Sequence, residues 1–288
     1  MIIAILMPGD MGHGVGQALM TQGHDVICAL DGRSAHTRGL AEKAGLRDAG
    51  TVGDAVRQAD LILSILPPDH AVPQARDVAA AMTASGARPT YVDCNAISPD
   101  TAKEVAAAFD GLDATVCDCG IIGLNPIKAP PTRFYVSGPD CSAVQSISSD
   151  ALRVETIGEA VGQASALKMV YAALTKGTWT LETALLMAAR QLGVLDPLLA
   201  EFEYSQSGSL RAMRNRVPFL PADSARWVPE MQEIAATFAS AGVTPQFHQG
   251  AAEVFRVLAK TPFAQETRET LDRSRTLEQA LAEYVKHL

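Results

Sequence analysis

The chain has 288 residues, of which 48% are hydrophobic and 19% charged, and its formal net charge is -8 at pH 7. Its 24 lysines and arginines are scattered, so neither nucleic acid nor a membrane surface is an expected partner. The length suits one large or two medium domains. Because the opening MIIAIL lacks the basic segment of a signal peptide, we expect a cytoplasmic protein.

The first half of the chain alternates apolar runs with alanine-rich helical stretches. Continuous apolar strands separated by helices predict a parallel sheet that is covered on both faces. The expected fold class is therefore α/β, with a doubly wound Rossmann domain over residues 1–160. The strands are predicted at 2–7, 25–30, 61–66, 90–94, 114–119 and 133–138, with a last short strand near Val154.

The chain becomes helical from Gly162 onward. Residues 162–194 contain no proline, and their only charges before the last turn are Lys168, Lys176 and Glu182. A helix that is apolar nearly all round must be buried nearly all round, which predicts a partner subunit and a homodimer. Three charges spread along the helix argue against a membrane span. Further helical patterns at 196–215, 224–241, 246–260 and 264–287 predict an all-helical substrate and dimerisation domain over 161–288.

The turn after the first strand has the glycines of a nucleotide site. In the dinucleotide-binding pattern Gly-x-Gly-x-x-Gly, the second glycine lets the backbone approach a pyrophosphate and the third allows close helix–strand packing. Gly9 and Gly12 match these two positions, whereas Met7 replaces the first glycine. A helix amino terminus also offers N–H groups to a phosphate. The residues expected to bind the cofactor here are Pro8, Gly9, Asp10, Met11 and Gly12.

The end of the second strand is expected to meet the ribose of the adenosine half. An acidic residue there favours NAD, whereas an arginine pairs with a 2′-phosphate and favours NADP. Asp31 and Arg33 are both present. Because Arg33 is accompanied by the hydroxyls of Ser34 and Thr37, which suit phosphate oxygens, we expect NADP, with NAD less favoured. An Arg33 that is only a solvated loop charge is the alternative.

These motifs, in this order, resemble the β-hydroxyacid dehydrogenase superfamily, which includes 3-hydroxyisobutyrate dehydrogenases, 6-phosphogluconate dehydrogenases and imine reductases. The family's Gly-Leu-Gly-x-Met-Gly is similar to residues 7–12, and its Asn-Arg-Thr is similar to residues 32–34. Its Leu-Pro motif, which walls the nicotinamide side, is similar to Leu66 and Pro67. The resemblance covers most of the chain and implies an NADP-dependent oxidoreductase that acts on a small-molecule substrate.

The substrate loops and the catalytic helix of the family also have counterparts. The pattern Asp-x-Ser-Thr-x-x-Pro is similar to residues 93–99. The small-residue loop that receives the substrate's acid group lines up with a segment that contains Ile122 and Gly123. The catalytic Gly-x-x-x-x-x-Lys-x-x-Asn-Asn looks like residues 162–172, which aligns Lys168 with the catalytic lysine.

Lys168 is the residue expected to carry the chemistry. The resemblance implies that its ammonium stabilises and protonates a carbonyl oxygen, and that its neutral amine accepts the hydroxyl proton in the reverse direction. On a helix Lys168, Tyr171 and Thr175 fall on one stripe, so Tyr171 is a second candidate proton donor and Thr175 a substrate contact. Asn95 is expected to donate to the substrate or to the nicotinamide carboxamide. A lysine that only extends to water is the alternative.

Two departures from the family pattern leave the substrate open. Asn95 and Ala96 replace the serine and threonine of the substrate loop, and Tyr171 and Ala172 replace the asparagine pair. An imine or ketone reductase of the same fold is therefore an alternative to a 3-hydroxyacid dehydrogenase, and a catalytically silent NADP-binding scaffold is another. Because the histidines lack metal-ligand spacing, no metal is expected.

Overall fold

An eight-stranded sheet forms the framework of the first half of the chain. The computed structural model describes residues 1–128, 131–267 and 270–288. The strands are β1 (Ile2–Ile5), β2 (Asp25–Cys28), β3 (Arg47–Asp48), β4 (Leu61–Ser64), β5 (Thr90–Asp93), β6 (Val116–Ile122), β7 (Thr132–Ser137) and β8 (Leu152–Gly158). Their order in the sheet is β3-β2-β1-β4-β5-β6-β7-β8.

The expected α/β class with an N-terminal Rossmann sheet is confirmed, with two differences. The sheet is not wholly parallel, because β6 and β7 pair antiparallel. Only residues 123–131 separate these two strands in the sequence, whereas a parallel pair needs a crossover of about a dozen or more residues, usually a helix. The edge strand β3 was not expected, because its two residues, Arg47 and Asp48, are exposed and have no apolar pattern.

Helices cover both faces of the sheet. Alternate residues of β1 point to opposite faces, so Ile3 and Ile5 lie in one buried cluster and Ala4 and Leu6 lie in another. Each cluster contains side chains from helices on its own side, as the doubly wound prediction requires. These helices are α1 (Gly12–Thr21), α2 (Ala35–Ala44), α3 (Val52–Gln58), α4 (Ala71–Ser85), α5 (Pro99–Ala107) and α6 (Ser142–Gln145).

The chain divides into two compact units, Met1–Met169 and Val170–Leu288. The long helix α7 (Gln163–Gln191) begins in the first unit and continues into the second, as the proline-free segment predicts. Within its described residues the second unit contains only helices and turns, so the all-helical C-terminal region is confirmed. Its other helices are α8 (Leu195–Ser205), α9 (Ser207–Arg216), α10 (Pro221–Ser240), α11 (Gln246–Ala259) and α12 (Leu277–Tyr284).

Two of the predicted helical segments differ from those observed. The segment 196–215 is broken at Gln206, whose φ of -143° and ψ of 44° lie outside the helical region. Among its described residues, the segment 264–287 forms an α-helix only in α12, which begins with a capping box between Thr276 and Gln279. Positions 268 and 269 of that predicted helix lie outside the described residues.

The helix α7 leaves one apolar side uncovered within a single chain. Val170, Tyr171, Leu174 and Leu181 are all exposed, and Leu174 reaches 74% exposure. Their spacing puts them on one side of the helix. A single chain therefore does not bury α7 nearly all round, because the neighbouring helices leave the side with Val170, Tyr171, Leu174 and Leu181 exposed. Across the described residues, no helix has the length and apolar character that a membrane span requires.

Candidate active site

Close contacts at glycines shape the turn between β1 and α1. A Cβ atom at Gly12 would lie 2.5 Å from the carbonyl oxygen of Met7, so a larger residue would force this helix away from the strand. A Cβ atom at Gly9 would meet nothing within 4 Å, so the backbone is open there. No described residue other than glycine has a positive φ, which explains why Met7 can replace the first glycine. At the N-cap, Met11 supplies no side-chain hydrogen bond, and such a helix start leaves backbone donors for an anion.

Asn125, which follows β6, holds this turn in place. Its Nδ2 donates to the carbonyl oxygen of Asp10 at 2.6 Å, and its Oδ1 accepts from the amide of Ile127 at 2.9 Å. A Cβ atom at Gly14 would overlap the Asn125 amide, so this glycine makes room for it. Of the other turn residues, Pro8 is buried and Asp10 is exposed. Asn125 was not expected from the sequence, because 115 residues separate it from Asp10.

The guanidinium of Arg33 turns toward the start of α4. Its Nη2 donates to Oε1 of Gln74 at 3.3 Å. Two nearby donors, Nε of Arg33 and Nε2 of Gln74, are buried and have no hydrogen-bond partner among the described residues. Leaving such a donor unpaired costs about 1–3 kcal/mol, so a pair of them indicates a place for a ligand's acceptor atoms. Gln74 was not expected from the sequence, although a polar residue on the buried side of α4 was an available signal.

The hydroxyls near Arg33 form a separate cluster. Ser34 caps α2, because its Oγ accepts from the amide of Thr37 at 3.2 Å. The hydroxyls of Ser34 and Thr37 are 3.1 Å apart and hydrogen-bonded to each other. Asp31, the acidic residue of this segment, is exposed, and its amide donates to the carbonyl oxygen of Gly50. The structure thus brings Ser34 and Thr37 together, while the side chain of Arg33 is hydrogen-bonded to Gln74.

Asn95 is buried and ties the loop after β4 to the end of β5. Its Oδ1 accepts from the amide of Leu66 at 2.5 Å. Its Nδ2 donates to Asp93 at 2.7 Å and to the hydroxyl of Ser64 at 3.4 Å. Only 2% of Asn95 is exposed, and both amide hydrogens are engaged inside the protein. The structure therefore gives Asn95 a different task from the expected donation to a ligand: it orders the loop that contains Leu66 and Pro67.

Two buried carboxyl groups lie on neighbouring strands beneath these loops. Asp93 ends β5, and its register partner on β6 is Asp118. Burial raises the pKa of Asp93 to about 7, and the nearby Asp118 adds to this shift. Burial also raises the pKa of Asp118, against the opposing effect of its hydrogen-bond donors. The end of the sheet therefore holds at least one carboxyl group that takes up a proton near neutral pH.

Lys168 lies against the carboxyl end of β6. Its Nζ donates to the carbonyl oxygen of Ile121 at 2.6 Å, and the side chain is half-buried. A Cβ atom at Gly120 would lie 2.7 Å from the carbonyl oxygen of Ala164 and 2.8 Å from the Cβ of Lys168. Only glycine at position 120 allows α7 to approach the strand this closely. The ammonium is thus hydrogen-bonded to the backbone at the end of β6, while part of the side chain stays exposed to solvent.

The remaining expected substrate residues occupy two places. Ile122 is half-buried at the end of β6, and the adjacent Gly123 is exposed with a φ of 130°. Tyr171 and Thr175 belong to the second unit, further along α7. Tyr171 is exposed, and the hydroxyl of Thr175 donates to the carbonyl oxygen of Ala172 at 3.1 Å.

Known protein families match both parts of the chain. The model for the NAD binding domain of 6-phosphogluconate dehydrogenase matches residues 3–149. A domain of unknown function, DUF1932, matches residues 189–258. The 3-hydroxyisobutyrate dehydrogenase of Pseudomonas aeruginosa is 30% identical over 141 residues, which are 48% of this chain and 46% of that enzyme.

Solved structures share the fold over nearly the whole chain. The conserved protein MTH1747, described as structurally similar to 3-hydroxyacid dehydrogenases, has a TM-score of 0.66 and 25% identity, covering 90% of this chain and 96% of its own. The 3-hydroxyisobutyrate dehydrogenase of Mycobacterium tuberculosis, solved with L-serine, has a TM-score of 0.67 and 21% identity. That likeness covers 92% of this chain and 96% of the enzyme.

The buried carboxyl of Asp93 predicts a loss of stability as the pH rises from about 4 to about 7. Its pKa is about 7 in the folded chain against 3.8 without burial, so in this window the folded state holds a proton that the unfolded state has released. The unfolding free energy should therefore fall by up to about 1.4 kcal/mol per pH unit from this group alone.

Urea unfolding of the wild type and of Asp93→Asn, at several pH values across this window, checks the prediction. The variant has no proton to release at position 93, so its unfolding free energy should lose that part of the slope. Equal slopes in the two proteins would contradict it.

Proposed function

Because the chain belongs to the β-hydroxyacid dehydrogenase superfamily, we propose that it is an NADP-dependent oxidoreductase in which Lys168 is the general acid and base. Membership of this family makes the chain an oxidoreductase with a nicotinamide-cofactor domain. The proposed reaction interconverts a small 3-hydroxyacid and its carbonyl compound. One observation carries the proposal: Nζ of Lys168 is bound to Ile121 at the carboxyl end of the sheet, where ligands of open α/β sheets bind.

The donor groups of the first unit fit NADP. The open backbone at Gly9 suits a pyrophosphate. The unpartnered donors of Arg33 and Gln74 suit the acceptor oxygens of a phosphorylated adenosine end. When bound, the nicotinamide ring supplies a carbon that gives or takes a hydride. The residues proposed to bind the cofactor are Pro8, Gly9, Asp10, Met11, Gly12, Arg33, Ser34, Thr37, Leu66, Pro67 and Gln74, with Asn95 ordering the loop of Leu66.

The proposed chemistry of Lys168 is proton transfer at the substrate oxygen. In the direction of reduction, its ammonium stabilises the negative charge that grows on the carbonyl oxygen and donates a proton to it. In the direction of oxidation, the neutral amine accepts the hydroxyl proton. The contact with the carbonyl oxygen of Ile121 supports this role, because a fixed amine loses less conformational entropy when it meets the substrate.

The substrate is proposed to bind beside Lys168. Ile122 and Gly123 follow the carbonyl that holds the lysine, and the backbone of Gly123 carries no side chain that would block an acid group. Tyr171 and Thr175 are proposed as a second proton donor and a substrate contact. Residues 1–160 would then serve as the cofactor domain and 161–288 as the substrate and dimerisation domain.

An imine or ketone reductase is the second candidate function. The observation that favours it is the replacement of the family's asparagine pair by Tyr171 and Ala172, of which Tyr171 is an exposed residue with a hydroxyl that can donate a proton. Thermal-shift measurements with NADPH and NADH, followed by hydroxyacids, ketoacids and cyclic imines, rank these ligands by mass action. 3-Hydroxyisobutyrate and L-serine belong in that panel.

Replacing Lys168 by alanine should remove turnover while leaving cofactor binding intact. Loss of a general acid and base lowers the rate by about 100- to 10,000-fold. The NADPH dissociation constant should change by less than about threefold, because the lysine acts on the substrate. Turnover is followed by NADPH absorbance with the best substrate of the panel, and binding by NADPH fluorescence.

Lys103→Ala is the matched control, because this lysine is exposed on α5 and pairs only with Asp100 in the hydrogen bonds described. It should keep wild-type turnover. A Lys168→Ala protein with full activity would eliminate the proposed mechanism, and a wild type without turnover on any panel member would leave the silent NADP-binding scaffold.

Replacing Arg33 or Gln74 by alanine should weaken NADPH binding selectively. Loss of a charged hydrogen bond costs about 1.5–3 kcal/mol, so Arg33→Ala should raise the NADPH dissociation constant by about 10- to 150-fold. Gln74→Ala, which removes a neutral donor, should raise it by about 3- to 10-fold. NADH affinity should stay within about twofold in both variants, because NADH lacks the 2′-phosphate.

Fluorescence titration with both reduced cofactors makes the measurement. Arg57→Ala, which removes an exposed arginine paired with Asp54, controls for the change in net charge. Equal weakening of NADPH and NADH would assign these donors to a part that both cofactors share, and unchanged NADPH affinity would refute the NADP preference.

We also propose a homodimer formed along α7. The exposed side of this helix, made by Val170, Tyr171, Leu174 and Leu181, is an apolar surface of the kind that a second copy buries. Its residue spacing is that of helix–helix contacts. Burying the same stripe from two copies would satisfy the all-round burial that the composition of the helix requires.

Leu174→Glu should convert the dimer into a monomer, because burying an unpaired carboxylate in an apolar contact costs several kcal/mol. Light scattering after gel filtration should give twice the chain mass of 30.4 kDa for the wild type and that mass itself for the variant. Met20→Glu, on α1 and outside the stripe, should stay dimeric. A monomeric wild type, or a dimeric Leu174→Glu, would rule out this interface.

A further inference from the structure

A buried carboxylate on β6 binds the beginning of the helix that carries Lys168. Asp118 is 1% exposed. Its Oδ2 accepts from the amides of Gly162 and Ser165, both at 2.9 Å, and its Oδ1 accepts from the hydroxyl of Ser165 at 2.6 Å. The hydroxyl of Ser137 on β7 completes the set at 3.3 Å. All four donors converge on one side chain that the proposed proton transfer does not use.

The same group of side chains satisfies the start of α7 almost completely. The first amides of a helix have no acceptor within the helix itself. Asp118 accepts from residues 162 and 165, and the hydroxyl of Ser137 accepts from the amide of Ala164 at 3.0 Å. A carboxylate at this end of a helix also interacts favourably with the helix dipole. The sheet thus supplies the cap that the local sequence lacks.

Two further contacts with β6 lead from this cap to Lys168. The Cβ position of Gly120 faces the carbonyl oxygen of Ala164 and the Cβ of Lys168, so strand and helix touch there. The next residue, Ile121, accepts the hydrogen bond from Nζ of Lys168. Three positions within four residues of one strand therefore fix the helix turn that carries the lysine. A shift of the first turn along the strand would move the ammonium with it.

We propose that Asp118 is a positioning residue for the reaction of Lys168. By fixing the first turn of α7 on β6, it sets where the ammonium lies at the carboxyl end of the sheet. Asp118 does not touch the substrate in this role, because it is enclosed by its donors. Its register partner Asp93 holds Asn95 and, through it, the loop of Leu66, so neighbouring strands anchor both sides of the site. The inference rests on the proposed function of Lys168.

Asp118→Asn is the substitution that tests this role. Asparagine keeps the shape but loses the negative charge and replaces one acceptor oxygen by an NH2 group, so it cannot accept from all four donors that the carboxylate engages. Displacing a reacting group by about 1 Å costs about 100-fold in rate, so turnover should fall by about 10- to 100-fold. The NADPH dissociation constant should change by less than about twofold, because cofactor contacts are elsewhere.

A double-mutant cycle with Lys168→Ala separates an effect of Asp118 on the position of Lys168 from a general disturbance of the structure. If Asp118 acts through Lys168, then Asp118→Asn should cause no further loss of turnover once the lysine is gone. Turnover is measured as NADPH formation from NADP and the panel hydroxyacid with the highest rate, beginning with 3-hydroxyisobutyrate. The same further loss in both backgrounds would show a structural effect only and overturn the inference.

Hydrogen exchange gives a readout that needs no substrate. Amides in residues 162–168 should exchange at least about tenfold faster in Asp118→Asn, while those of α3 stay unchanged. Asp140→Asn is the matched control: this exposed aspartate accepts from the amide of Ser142 at the start of α6, and its loss should alter neither turnover nor exchange in α7. Unchanged exchange in Asp118→Asn would overturn the anchoring step.

The outcomes distinguish the two proposals. Full activity of Lys168→Ala, or a wild type that turns over no panel member, defeats the proposed function and the inference with it. A Lys168→Ala protein that loses activity beside a fully active Asp118→Asn defeats the inference alone. If Asp118→Asn does not fold, Ser165→Ala, which removes only the 2.6 Å hydroxyl contact, should give a smaller loss of turnover with the same dependence on Lys168.

Discussion

The amides at the start of α7 need acceptors, and β6 and β7 provide them. Asp118 and Ser137 together accept from residues 162, 164 and 165, all in buried positions. A buried amide without a partner is costly, so these hydrogen bonds specify how the helix meets the sheet. Gly120 then allows the close approach, and the direction of the helix determines where Lys168 lies. The chemistry proposed for the lysine depends on this contact.

Where the cofactor is proposed to bind, polar groups are not all paired within the protein. Within the part of the chain that the structure describes, the Nε of Arg33 and the Nε2 of Gln74 are buried and unpaired there, and α1 begins without a side-chain cap. Such groups are tolerated in a folded protein when a ligand or ordered water completes them. The polar groups that fix the start of α7 are therefore paired with one another inside the protein. The buried donors where NADP is proposed to bind are instead left for the ligand to pair.

The second unit also has an apolar surface that packing within one chain does not bury. The side of α7 that carries Leu174 and Leu181 presents apolar surface, although much of the rest of the helix is buried. The matched domain over residues 189–258 has no assigned function, so the family comparison alone gives its helices no role. An apolar stripe at helix-contact spacing is the physical feature on which the proposed homodimer rests.

Local patterns in the sequence were enough to predict the α/β class, the turn at Gly9 and Gly12, and the long helix α7. Each of these depends on residues close together in the chain, where hydrophobic period and glycine positions encode backbone conformation. The antiparallel β6–β7 pair and the short edge strand β3 were not predicted, because neither has a distinctive local pattern.

The partners of individual side chains were decided only by the tertiary structure. Gln74 is 41 residues from Arg33, and Asp118 is 47 residues from Ser165. Asn95 carries hydrogen-bonding groups that suit a ligand, yet its amide is engaged within the protein because Asp93, Ser64 and Leu66 surround it. Residue type and spacing therefore determined which groups the chain has and which backbone elements carry them. Only the packing of distant strands and helices decided which polar groups satisfy one another and which are left for a ligand.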